Sequence, residues 1–364
     1  MSRKVLILGG YGNFGKRIAQ ALVKAEIPVI IAGRNRTKTE FMAKELGTLA
    51  EVAAFDVNHN LAEQLINLHP CVVVNTCGPF QNADYNVAET CIANGVHYID
   101  LADGREFVTG IKKLDAAAKA RGVSVISGAS TVPGLSSAVL EHFKHQFSSI
   151  NTLRFGISPG QKAERGLATT QGILTYVGKP LAPFAGNTRA YGWQDIYRQE
   201  YPGLGKRWMA NCDIPDLDLL PPVYCIQSIQ FSAGLQLAPL HLGLWALSWL
   251  IRLGVPLNLP EQAASLLSAS NWFDRLGCAD GGMHMIITGT AQDGSPHTIK
   301  WFIIAKDGYG PYIPTIPAIV LAKKIANGIL PAPGSYPCVA LVSLEEYLEE
   351  LKDYPIYTVI NPLA

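Results

Sequence analysis

Gly10, Gly12 and Gly15 stand at Gly-x-Gly-x-x-Gly spacing, directly after the apolar run Val5-Leu6-Ile7-Leu8 and directly before a helical pattern that reaches Val23. Phosphate binding by backbone requires that order. Gly10 allows the tight turn, Gly12 lets N–H groups reach a pyrophosphate, and Gly15 lets the helix pack close to the strand with its positive N-terminal end on the anion. Tyr11, Asn13 and Phe14 line the same loop. A second apolar run, Ile27-Pro-Val-Ile-Ile-Ala32, ends in Gly33-Arg34-Asn35-Arg36. A site for NAD(H) usually places Asp or Glu near this point to hold a ribose hydroxyl. Here no carboxylate occurs between Glu26 and Glu40. The guanidinium groups of Arg34 and Arg36, with Asn35 between them, suit the extra phosphate of NADP(H). Two solvated loop arginines are the plain alternative.

Hydride transfer then needs a positioned carbonyl or imine and a group that gives or takes a proton. Asp56 and Val57 close a third apolar run and could reach the adenine. Cys77, Gly78, Pro79 and Phe80 follow a fourth run, where a turn would pack against the nicotinamide ribose; a purely structural Gly-Pro turn is the alternative. Asp100, Asp103 and Arg105 follow a fifth. Asp100 ranks first as proton acceptor or ammonium partner, Arg105 second as a carboxylate clamp, and Cys77 joins them as a catalytic candidate. A structural ion-pair network would explain the same charges. Asp103, Ser130 and Thr131 are the candidate substrate contacts. His97 lies inside a strand pattern and reads as a packed residue. Lys162, Arg165, Thr169 and Thr170 could add charge and hydroxyls from a second domain, or simply decorate a helix start. No Ser-Tyr-x-x-x-Lys triad and no metal-ligand spacing occurs.

The elements that must carry these groups alternate. Helices are expected over 37–46 with a Thr cap, 61–68, 86–94 and 107–121, and strands over 51–57, 71–75, 97–101 and 123–126. Strands alternating with helices imply βαβ units, a parallel sheet and right-handed crossovers, with ligands at the carboxyl ends of the strands. Beyond Thr131-Val-Pro-Gly134 the pattern changes: a helix over 135–147, an alternating strand over 150–157, and a β-hairpin over 283–305 turning at Asp293-Gly294. The expected fold is α/β. A Rossmann doubly wound parallel sheet (1–130) precedes an α+β substrate and dimerisation domain with an antiparallel sheet (131–310), the cleft lying between the two. By the resemblance described next, the helices of 311–364 return to the first domain.

These residues resemble the saccharopine dehydrogenase-like family of NADP-binding Rossmann type. The shared features are GGYGNFG at 9–15, AGRN at 32–35, FDV at 55–57, NTCGPF at 75–80, Ala88-Glu-Thr-Cys91, GVHYIDLADGREF at 95–107 and GASTVPGL at 128–135. Their order and spacing over the first 140 residues are specific, whereas 150–310 carries little of the pattern. The resemblance implies an NADP(H)-dependent oxidoreductase acting at a C–N or C=O centre of a small metabolite. The family is diverse, so a catalytically weak NADP(H) sensor and a reductase of a lipid-like substrate stay open.

Composition fits that class. The 364 residues are 48% hydrophobic with net charge +1 and no long basic run, which argues against nucleic acid as a partner. Seven widely spaced cysteines without a Cys-x-x-Cys or Cys/His cluster read as reduced thiols, and the first strand begins too early to leave room for a signal peptide, so the chain is expected in the cytoplasm. Between Phe231 and Leu259 only Arg252 is charged. Gln236, Pro239 and His241 interrupt this run, and its uninterrupted core, 242–251, is too short to span a bilayer. It is read as a buried or homodimer-interface helix. A greasy pocket wall and a membrane-surface helix are the alternatives.

Overall fold

A computed structural model describes residues 3–361. Two compact units emerge: the residues up to Val139 with Tyr312–Glu350, and Leu140–Pro311 with the stretch from Leu351 on. The first contains β1 (Val5–Leu8), α1 (Asn13–Lys24), β2 (Val29–Gly33), α2 (Arg36–Leu46), β3 (Ala50–Ala54), α3 (Leu61–Leu68), β4 (Val72–Asn75), α4 (Asn86–Ala93), β5 (His97–Asp100), α5 (Arg105–Gly110), α6 (Asp115–Ala120) and β6 (Ser124–Ser127). Helix α7 (Ser136–Phe143) leads to β7 (Phe147–Ser158), α8 (Leu167–Leu174), β8 (Tyr197–Tyr201), β9 (Gly205–Asn211), α9 (Asp216–Tyr224), β10 (Ser228–Ala233), α10 (Ala238–Arg252), α11 (Ala263–Asn271), β11 (Gly281–Ala291) and β12 (Pro296–Ala305). The tail is α12 (Ile316–Ala326), β13 (Gly334–Pro337), α13 (Leu344–Leu351) and β14 (Ile356–Ile360).

The first sheet is parallel throughout, in the order β13-β6-β5-β4-β1-β2-β3. Helices cover both faces of such a sheet, so its strands read as unbroken apolar runs; VLIL of β1 and the first four residues of β2 are fully buried. Six strands form the doubly wound core, whose order reverses between β1 and β4. The seventh, β13, arrives from the far end of the sequence. Register sets the site: Leu8 pairs with Ala32 and Asn75, and Asn75 with Asp100. The segments that follow β1, β2, β4 and β5 therefore leave the sheet along one edge.

The expected helix over 107–121 breaks into α5, a 3₁₀ turn and α6. Asn35, rather than a threonine, caps α2, its side chain accepting from Lys38 N at 3.0 Å. The third strand stops at Ala54, which leaves Asp56 in the loop after it.

The second sheet runs β14-β12-β11-β7-β10-β9-β8. It is mixed and not purely antiparallel, because β7 and β10 pair in parallel. The 283–305 hairpin is present, with Gly294 at φ +86° in the turn and Asp293 Oδ1 accepting from Ser295 N at 2.9 Å. Helices α12 and α13 lie in the first unit up to Glu350, but the last strand, β14, pairs with β12 and extends the second sheet.

Candidate functional site

The Gly-rich turn is built by close contact. Gly9 and Gly10 both donate to Ala32 O at 3.0 Å, and Gly12 N donates to Gly9 O at 2.8 Å. A Cβ on Gly15 would lie 2.3 Å from Gly9 O, so no larger residue fits there without moving backbone. A Cβ on Gly12 would meet only Gly9 O, at 3.0 Å, and would otherwise fill open space above the turn. Gly12 is the cap of α1 and carries no side chain to satisfy it. The first-turn amides of α1 lack helical acceptors, which makes this end an anion cradle of the shape a pyrophosphate takes.

Tyr11 closes one side. Its ring packs on Gly33, where a Cβ would sit 2.3 Å from Cε1, and its hydroxyl accepts from Asn35 N at 3.3 Å. Arg34 is exposed just beyond β2. Arg36 is exposed too but held by Glu40 at 2.8 Å, so the pair of arginines divides, and Arg34 is the one not held by Glu40. Asp56 accepts from Asn58 N at 3.1 Å and Val57 packs on the sheet core. Cys77 Sγ lies beside the glycine turn, 3.2 Å from where a Cβ on Gly9 would sit, and the charges of Arg34 and Asp56 act on its thiol in opposite directions.

The segment after β4 is tied to the glycine turn by Thr76, whose Oγ1 donates to Leu8 O at 2.8 Å. Cys77 is surface-exposed, yet the protein packed around its sulfur pushes the thiol up to about 11. It is a neutral thiol at physiological pH and supplies no thiolate. Gly78 and Pro79 are exposed beside it, whereas Phe80 is buried against Phe107, ring centroids 5.3 Å apart.

Asp100 is the main correction. Sequence ranked it first as a proton acceptor, but it is completely buried. Its Oδ1 accepts from Gly128 N at 2.8 Å, Ser127 Oγ at 2.9 Å and Ala102 N at 3.0 Å. Burial pushes its carboxyl up to about 6, against the opposing pull of those donors and of Tyr98. It clamps the segment after β6 to the end of β5. All three of these donors meet Oδ1, which fixes the carboxylate in place, whereas Oδ2 is buried without a hydrogen-bond partner among the described residues. The same network reaches Cys77: Asn75 Nδ2 donates to the Tyr98 hydroxyl at 3.1 Å, and Asn75 Oδ1 accepts from Cys77 N at 3.0 Å. Asn75, Tyr98 and Ser127 were missed in the sequence because a polar tip inside an apolar strand carries no periodic signal.

Asp103 is the carboxylate of this group that lies outside that clamp. It is part-buried, its Oδ1 accepts from Gln81 Nε2 at 3.0 Å, and burial raises its pKa from the ordinary Asp value against the pull of that bond. Arg105 is buried as the first residue of α5. Ser130 and Thr131 are buried in the segment that Asp100 holds. His97 Nδ1 accepts from Ser124 N at 3.0 Å, a structural bond that suits its strand position. In the second unit, Arg165 bridges Asp274 at 2.9 Å and Ser270, and Thr170 bonds back to Gly166 O at 3.1 Å. Among the described residues no group of three or more His, Cys, Asp or Glu side chains could hold a metal ion.

The first unit has the Rossmann fold, with a glycine-rich turn at the reversal of strand order. Residues 5–126, about a third of the chain, match the family model described as the saccharopine dehydrogenase NADP binding domain. The whole chain has the fold of apo histidine-tagged saccharopine dehydrogenase (L-Glu forming) from Saccharomyces cerevisiae. The likeness has a TM-score of 0.67 at 15% identity and covers 99% of this chain and 100% of that one. A short stretch is also similar to glutamyl-tRNA reductase from Campylobacter fetus subsp. fetus (strain 82-40), 47% identical over 47 residues. It spans 13% of this chain and only 11% of that protein's length.

Proposed function

We propose that this protein is an NADP(H)-dependent oxidoreductase that transfers hydride at a C–N or C=O centre of a small metabolite. The carrying observation is the meeting of the glycine cradle, Arg34, Asp56 and Cys77 at one edge of the parallel sheet. In this reading the α1 amides bind the pyrophosphate and Arg34 takes the ribose phosphate. Bound NADPH supplies the hydride. Asp100 fixes the segment that carries Ser130 and Thr131 and leaves the proton step to another group. Asp103 fits that step, because burial moves its carboxyl toward the operating pH while Gln81 holds it in place.

The locked state of Asp100 also favours a second reading, in which the site binds NADP(H) with little turnover. Stopped-flow oxidation of NADPH against panels of 2-oxo acids with amines separates the two. Turnover with one such pair, reduced strongly by Asp103→Asn at unchanged NADPH affinity, supports the enzyme. Tight NADPH binding without turnover across the panel supports the sensor.

A further inference from the structure

One cysteine stands apart from the other six. Burial pushes the thiols of Cys71 and Cys77 up to about 11 and that of Cys338 up to about 12, and it raises Cys91 as well. Cys212 is buried with its sulfur 2.8 Å from the Tyr176 hydroxyl, and Cys225 is exposed. Cys278 is half-buried just before β11. Its N–H donates to Gln236 Oε1 at 3.0 Å, and Gln236 Nε2 donates back to its sulfur at 3.0 Å. Lys162 N donates to Cys278 O at 2.9 Å, and Gln236 Oε1 also accepts from Gln161 N at 2.7 Å. Main chain and sulfur are thus both held in place, with an amide N–H aimed at the sulfur.

A buried guanidinium faces the same sulfur. Arg207, on β9, is 3% exposed. Burial lowers its pKa, and among the groups that oppose this shift Cys278 comes first, through charge and a side-chain hydrogen bond, ahead of Tyr201 and Asp280. The Asp280 carboxylate is already engaged, Oδ2 by Lys306 at 2.9 Å and Oδ1 by Asp307 N at 2.9 Å. Among the described residues, Arg207 Nη1 meets no hydrogen-bond acceptor. A charged donor left unmet in the interior is costly until something brings it an acceptor. A thiol sulfur is a weak acceptor, whereas an oxygen bonded to that sulfur is a strong one and reaches one bond further. Gln236 and Arg207 therefore set a donor pair around the one thiol that oxidation would complete.

We propose that Cys278 is a modification site, oxidised by hydrogen peroxide to a sulfenic acid whose oxygen Arg207 receives. The sulfur attacks one peroxide oxygen: the S–O bond forms as the O–O bond breaks, sulfur is oxidised and peroxide reduced, and the second oxygen leaves with the thiol proton as water. Arg207 stabilises the charge that passes from sulfur to oxygen and then holds the product. The full chain, freshly reduced, is exposed to hydrogen peroxide with dimedone as the sulfenic acid trap and digested for peptide mass spectrometry. Cys278 is expected to carry about fivefold more trap than exposed Cys225. Arg207→Met should lower trapping at Cys278 about tenfold, and Arg207→Lys, which keeps the charge, should retain part of it. Gln236→Glu keeps the oxygen that Gln161 N and Cys278 N require and sets an anion against the sulfur, so it should lower trapping with the buried arginine untouched. Where Arg207→Met does not fold, the two cysteines of the unaltered protein and Gln236→Glu decide. Equal trapping at Cys225 and Cys278 overturns the inference, as does trapping at Cys278 that a folded Arg207→Met or Gln236→Glu leaves unchanged.

Discussion

Replacing Asp100 with Asn tests whether this carboxylate is a clamp. Its folded pKa of about 6 stands above the ordinary 3.8, with burial as the largest cause. A raised acid binds more protons in the native state than in the unfolded chain between those two values. Stability from this group is therefore greatest below pH 4 and falls as pH rises toward 6. A rise from 3.8 to about 6 corresponds to about 3 kcal/mol. Asn keeps one oxygen for Ser127, Gly128 and Ala102 and carries no charge, so it copies the protonated form. Other groups titrate in the same window, notably His284, which burial lowers to about 3 and which weakens the fold as pH falls. The difference between variant and parent removes those contributions. Urea unfolding of both at pH 4, 5, 6 and 7 is expected to show Asp100→Asn gaining about 3 kcal/mol relative to the parent across the series. NADPH affinity should change little at any pH. Parallel stability curves would refute the buried, raised carboxylate.

Arg34→Asp should lower NADPH affinity at least tenfold, about 1.4 kcal/mol, and leave NADH nearly unchanged, whereas Arg36→Ala, at a side chain already paired with Glu40, should change calorimetric affinities for neither. Gly15→Ala places a methyl group 2.3 Å from Gly9 O; melting and NADPH titration should both show the turn displaced, with a loss of about 2 kcal/mol or more in stability. Cys77, exposed but raised to about 11, should react with iodoacetamide at pH 7.5 far more slowly than a free thiol, followed by peptide mass spectrometry.

The unit with the parallel sheet was legible in the sequence because parallel strands buried on both faces read as apolar runs, and contact distances force glycine at 10 and 15 while Gly12 faces open space. What lay beyond reach was tertiary. Gly334–Pro337 is four residues ending in proline, too short and too plain to announce a seventh strand. The parallel pairing of β7 with β10 joins segments about 75 residues apart, with β8, β9 and α9 between them, and no local pattern encodes it. Asp100 looked reactive because charge at a strand end draws attention, while two of the three donors that hold it, Ser127 and Gly128, come from a segment 27 and 28 residues on. Of the two readings given for helix α10, buried or homodimer-interface, the structure contradicts the first, burying His241 and Ser248 and exposing Leu250 and Leu253. An apolar run suggests burial, and only the packed structure shows which face turned inward.

The central claim is that the edge formed by Gly12, Gly15 and Arg34 binds NADP(H). Isothermal titration of the unaltered protein with NADPH and NADH, repeated on Gly12→Val, tests it most directly. NADPH should bind at least tenfold more tightly than NADH, and the valine, filling the open space above the turn, should abolish both with a modest change in melting. Equal affinities for the two cofactors, or undiminished NADPH binding by Gly12→Val, would contradict the account.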